Sequence, residues 1–172
     1  ISSGNDNGNN LLKTIDSTVS PMGARLLKRW TVLPLKDTKK INERLDAVEI
    51  LIKETDARHQ LIQFIKHCGD IERLVSKIPM KKINPREVMQ LAKGLQQTEL
   101  IKNICIHSSN SYLKRLGDEL NTCHFILEKI QNEIFETPPI AVNKGGVIKE
   151  GINNELDELR KIASGGKEYL IN

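Results

Sequence analysis

The sequence predicts an all-α fold: a multi-helix core bundle followed by a long C-terminal helix, truncated where the chain stops, with one small β-hairpin between them. Three observations carry this. Hydrophobic residues make up 38% of the chain but aromatics only 3%, so Leu, Ile, Val and Met must fill the core, a composition suited to helices packed on helices. Helix starts are punctuated, because Ser20 can cap a helix whose first position suits Pro21, and Asn84-Pro85 restarts another. Finally, Leu113, Leu116, Leu120, Cys123, Leu127, Ile130 and Ile134 alternate steps of three and four, the seam of a helix lying lengthwise on its neighbours.

Taken in order, residues 1–10 are Ser, Gly, Asn and Asp with one Ile, too polar to join a core, and read as a flexible lead-in. A helical core domain is expected over residues 11–139, beginning with a short helix over Leu11, Leu12 and Ile15 capped by Asn10. Ser20 then opens an amphipathic helix with Met22, Leu26, Leu27 and Trp30 on one face and Arg25, Lys28 and Arg29 on the other. Pro34 limits its continuation, and Trp30 is expected to anchor it in the core.

Asp37 is the expected cap of a longer helix whose Ile41, Leu45, Val48, Leu51 and Ile52 form a core-facing stripe. Leu61, Ile62, Phe64 and Ile65 continue the helical spacing to a stop at Gly69. Asp70 caps the next helix, with Ile71, Leu74, Val75 and Ile78, and Pro79 ends it. After the connector Met80–Ile83, Asn84-Pro85 restarts a helix with Val88, Leu91, Ala92 and Leu95 inward and, past a slip at Thr98-Glu99, Ile101 and Ile104.

From Ser111 the three-four seam predicts one long helix, terminated by Pro138-Pro139. Residues 140–172 are expected to hold a small hairpin, Ile140–Ile148 about Gly145-Gly146, and the first part of the final helix. That helix starts near Asn153 with Glu155, Asp157 and Glu158 in its first turns, where negative charge complements the helix dipole.

Charge narrows the functional classes. Residues 1–100 hold 17 Lys+Arg against 12 Asp+Glu, and the remainder 9 against 10, so a mild basic bias sits in the first part. It favours phosphate contacts but is far from the concentrated charge of a dedicated nucleic-acid binder. Cys68, Cys105 and Cys123, odd in number and widely spaced, argue against a disulfide framework and fit a reducing compartment. No apolar run approaches the roughly 18 residues of a bilayer span, so the expectation is a cytoplasmic protein without a membrane partner. The first residue is Ile rather than Met, as expected of a piece of something longer.

No enzymatic constellation is found. His67-Cys68, Cys105-x-His107 and Cys123-His124 pair sulfur with imidazole, but none has the spacing by which two ligands reach one tetrahedral ion. Lys144-Gly145-Gly146 lacks the G-x-x-x-x-G-K-[ST] pattern of a phosphate loop. The expectation is therefore no catalytic, cofactor or metal residues. The open candidates are basic: Arg25, Lys28 and Arg29 beside Trp30, and Lys77, Lys81, Lys82 and Arg86. They contact DNA, pair with acids of a neighbouring domain, or are solvated.

Several blocks also carry a family likeness. The run Ile15–Leu35, IDSTVSPMGARLLKRWTVLPL, is followed in order by Lys39–Leu45, Gly69–Leu74, Asn84–Glu87, Gly145–Ile148 and Glu155–Arg160. Together they resemble the core domain of the MutS family of DNA mismatch-repair proteins, and the bacterial mismatch-recognition members more than the nuclease-bearing branch. The resemblance implies a larger parent: a homodimeric, DNA-binding ATPase using ATP and Mg, which recognises mispaired bases in duplex DNA, becomes a sliding clamp, and works in the bacterial cytoplasm at the nucleoid. It further implies that residues 11–139 belong to the core and the last helix to a lever leading to a DNA clamp. Arg25, Lys28, Arg29, Trp30, Lys81 and Lys82 are then candidate contacts to the parent's other domains or to the DNA backbone. The alternative is an independent helical scaffold whose basic face binds an acidic partner or nucleic acid.

Overall fold

The computed structural model describes residues 11–171, together with their side chains apart from Ser164 and residues 166–171. The expected lead-in over residues 1–10 and the Asn10 cap lie outside the described residues. The chain runs α1 (Leu11–Ile15), α2 (Pro21–Val32), α3 (Thr38–Lys53), α4 (Thr55–Cys68), α5 (Ile71–Ser76), α6 (Pro85–His107), α7 (Ser111–Glu119), α8 (His124–Glu133) and α9 (Asn154–Ile171), with a 3-10 turn at Val142–Lys144. Among the described residues there is no strand, and the fold is all-α.

The capping residues do what their chemistry dictates. Ser20 accepts from the Gly23 amide at 3.1 Å, Asp37 from those of Lys39 and Lys40, and Asp70 from that of Arg73 at 3.2 Å. Asn84 and Glu87 form a reciprocal capping box at the start of α6. Asn153, immediately before α9, accepts from the Leu156 amide at 2.9 Å.

The core is built around α6, which packs against α4, α5, α7 and α8. Its Met89, Leu91, Ala92, Leu95 and Cys105 are buried, joined by Leu61 and Cys68 of α4, Leu113 of α7 and Leu127 of α8. Two glycines let the helices close in. A Cβ on Gly94 would lie 2.5 Å from the Cys68 carbonyl oxygen, and one on Gly117 would lie 2.9 Å from both Cys105 Cβ and the Ile106 amide nitrogen. Thr98 Oγ1 donates to the Leu95 carbonyl at 2.6 Å, and α6 runs through the Thr98-Glu99 phase slip unbroken.

Four expectations need correction. The helix expected to run on from Ser111 is two helices, α7 and α8, broken at Leu120–Cys123. Lys102 Nζ donates to the Leu120 carbonyl at 2.9 Å, taking up an acceptor that helix continuation would have used. Asn121 Oδ1 accepts from the Cys123 amide at 2.8 Å, and Cys123 itself is left-handed at φ 50°. Beyond the break α8 packs back onto α6 and buries Leu127.

The stripe on α3 is not a core face. Leu45, Val48 and Ile52 are exposed, and the residue that α3 buries is Ala47. The helix is turned so that Glu43 meets Arg115 of α7 at 2.8 Å, while Arg58 of α4 donates to the Leu51 and Ile52 carbonyls at its end. Trp30 is not a core anchor either: it is 40% exposed, and no residue of α2 is buried.

The expected hairpin takes another form. Residues 142–144 coil into the 3-10 turn, and Gly145 and Gly146 both have positive φ. The extended piece beyond them pairs with the end of α8 through one antiparallel bridge, Ile134 with Ile148. The Phe135 amide donates to Val147 at 3.1 Å and the Lys149 amide to Glu133 at 2.7 Å.

Candidate functional site

The first cluster of basic and aromatic residues singled out above lies on α2, which meets α5 through Arg25 and α3 through Trp30, and its members fall into two groups. Arg25 is fully engaged inside the chain. Its Nη1 and Nη2 donate to both oxygens of Asp70 at 3.0 and 2.6 Å, and its Nε and Nη2 donate to Glu72 Oε2 at 2.9 and 2.6 Å. This is the bidentate geometry that a planar guanidinium favours. Asp70 serves twice, since it also caps α5. Its carboxyl is held below the ordinary aspartate range, chiefly by the Arg25 hydrogen bonds, and the guanidinium is correspondingly raised by Asp70 and then Glu72.

Trp30, one turn further along α2, lies under the Arg44 guanidinium of α3, 3.6 Å from ring centroid to Cζ. Such stacking satisfies a cation and an aromatic face without burying either. Lys28 and Arg29, on the same helix, are exposed and have no ion-pair or hydrogen-bond partner for their side chains among the described residues.

The second predicted cluster is likewise divided. Lys77 pairs with Glu87 of the α6 capping box, and Glu87 is held below the usual carboxylate range first by that contact. Arg86 Nε donates to the carbonyl of the buried Pro138 at 3.0 Å, pinning the chain after α8 to the start of α6. Lys81 and Lys82 are exposed in the turn between α5 and α6, with Lys81 at φ 52°. So Lys28, Arg29, Lys81 and Lys82 remain available to a partner, while Arg25, Lys77 and Arg86 hold the domain together.

What sequence reasoning missed is apolar. Leu45, Val48 and Ile52 form a continuous exposed row along α3, with Leu26, Val32 and Leu33 exposed on and just after α2. The periodicity that marked the α3 row was visible, but periodicity alone does not say whether a stripe is covered by the same chain.

At the far end, α9 is tied down by Arg160. Its Nη1 bonds Asp157 at 2.9 Å and its Nη2 the Ile148 carbonyl at 2.7 Å, while Asp157 Oδ2 accepts from the Gly151 amide at 2.7 Å. The root of α9 is thereby joined to the bridge at the end of α8. Among the described residues no group of three or more His, Cys, Asp or Glu is placed to hold a metal ion, and no helix is long and apolar enough to cross a membrane. Burial pushes the Cys68 and Cys105 thiols up, away from the reactive thiolate.

The family model described as MutS domain III matches residues 1–169. Among curated proteins, the chain is 53% identical over 171 residues to a DNA mismatch repair protein MutS of Phocaeicola vulgatus, covering 99% of this chain and 20% of that protein. It is 50% identical over 171 residues to that of Bacteroides thetaiotaomicron, again 99% and 20%. For the Porphyromonas gingivalis protein of the same description it is 41% identical over 167 residues, 97% of this chain and 19% of that one. The chain thus spans about a fifth of the length of the curated relatives it matches.

Proposed function

We propose, for a chain that belongs to the MutS domain III family of DNA mismatch-repair proteins, that it serves as the helical core and first lever segment, relaying changes at an ATP site to a DNA clamp. The larger protein would be a homodimeric DNA-dependent ATPase of the bacterial cytoplasm, associated with the nucleoid, with ATP, Mg and mismatched duplex DNA bound by other segments. This chain contributes no catalytic group. Its work is mechanical.

The observation that carries the reading is the apolar row Leu45, Val48 and Ile52 exposed on α3, with Lys28 and Arg29 also exposed on α2. A row of exposed aliphatics at helical spacing is what a rigid body offers to an adjoining domain. The body behind it is suited to transmission, because helices locked at Gly94 and Gly117 shift between discrete arrangements and do not deform smoothly. The Arg160 tie fixes the root of α9 to that body, so a rotation of the core carries the helix with it.

The test is Arg29→Glu combined with Val48→Asp in the longer mismatch-repair protein. Both side chains are exposed here, so folding is expected to be unaffected. Affinity for mismatched duplex should persist while ATP no longer converts the bound protein into a sliding clamp. Unchanged ATP-driven release would overturn the joint assignment, and direct, steeply salt-dependent duplex binding by the 172-residue chain alone would favour an independent nucleic-acid binder.

A further inference from the structure

We infer that α2 is held to the bundle by a polar latch and leaves it while the core around α6 stays folded, the freed 12-residue helix fraying more readily than the docked one because a helix this short is marginal without packing. Three observations lead there. No residue of α2 is buried, whereas α6 buries seven. Among the described residues, the long-range hydrogen bonds from α2 side chains run through Arg25, to Asp70 and Glu72 across 45 and 47 residues of sequence. The second attachment, Arg44 over Trp30, is a cation on an exposed ring. Attachments of this kind are screened by salt in a way that apolar burial is not.

The helix also leaves nothing stranded behind it. Its first turn is capped by Ser20 from its own chain neighbourhood, and at its end the Leu33 amide donates to the Arg29 carbonyl. On the other side, Asp70 keeps the Arg73 amide when Arg25 departs, so α5 retains its cap. The segment Leu33–Asp37 that joins α2 to α3 is non-helical and contains Pro34, which gives the movement a place to occur.

Opening the latch changes what the chain presents. Docked, Met22 and Leu27 are half-buried and Arg25 is neutralised. Released, α2 offers an apolar face and an unpaired guanidinium, and the acidic pair Asp70 and Glu72 is uncovered. The latch is therefore a two-state element that a partner of either charge can bias, independently of whether the α3 row is an interdomain surface.

Amide hydrogen exchange of the 172-residue chain, read peptide by peptide, tests this. Between low and about 1 M salt, exchange over Pro21–Val32 should quicken about two- to fivefold, the span of exposed ion pairs, while exchange over Leu91–Cys105 stays fixed. Arg25→Gln should produce the fast α2 rate already at low salt and abolish its salt dependence, and Lys28→Gln should change neither. The inference is overturned if α2 and α6 exchange together under all conditions, if salt and Arg25→Gln leave α2 unchanged, or if Arg25→Gln collapses α6 protection along with that of α2. The salt titration of the unmodified chain decides the matter even if the variant does not fold.

Discussion

Replacing Gly94 by Ala should destabilise the fold, although helix propensity predicts the opposite. Gly94 lies inside α6, where Gly→Ala ordinarily stabilises by about 1 kcal/mol. Here the added Cβ would sit 2.5 Å from the Cys68 carbonyl oxygen and 3.0 and 3.2 Å from Cγ1 and Cδ1 of Ile71. The Ile71 side chain can shift, but the carbonyl belongs to the α4 backbone, so α4 and α6 must part. That movement also breaks the Cys68 Sγ to Gly94 carbonyl contact at 3.6 Å. Overpacking costs about 1–3 kcal/mol, and a backbone obstacle places this case at the upper end. The net is a loss of about 1–2 kcal/mol, or a fall in Tm of about 2–8 °C for a chain of this size. Thermal and urea unfolding followed by far-UV circular dichroism read it directly. Gly165, where a Cβ meets nothing within 4 Å, is the control, and its Ala variant should keep or raise helicity. An unchanged or raised Tm for Gly94→Ala would refute the close approach of α4 and α6.

Other outcomes follow from the same contacts. Asn84→Ala removes the acceptor of the α6 capping box and should cost about 0.5–2 kcal/mol in urea unfolding. Asp70, whose folded carboxyl is held down by Arg25, with Arg73 also lowering it, contributes stability that is complete above the unfolded value of about 4. That contribution is lost as pH falls through the lower folded value, so α2 protection in hydrogen exchange should decline in acid before that of α6. A thiol reagent at mildly alkaline pH should find one fast-reacting cysteine of the three, Cys123, because Cys68 and Cys105 are buried.

Local chemistry was legible in the sequence and long-range geometry was not. Ser20, Asp37 and Asp70 were readable as caps because a cap bonds an amide two or three residues away. The run Leu113–Ile134 misled because steps of three and four persist across the break at Leu120–Cys123. What ends α7 is a lysine 18 residues upstream and a left-handed cysteine, neither of which alters periodicity. Likewise, the α3 stripe announced an apolar face but not its covering, and the polar partners of Arg25 lie 45 and 47 residues away. Of the candidate residues, Lys28, Arg29, Lys81 and Lys82 are exposed whereas the charge of Arg25 is consumed within the fold, a distinction the sequence could not make.

The relay role is tested most directly by comparing hydrogen exchange over Thr38–Lys53 in this chain alone and in the longer mismatch-repair polypeptide, with and without ATP. A covered joint predicts slower exchange around Leu45, Val48 and Ile52 in the longer protein, and a change in that protection when ATP binds. Equal exchange in both settings, indifferent to ATP, would contradict the account.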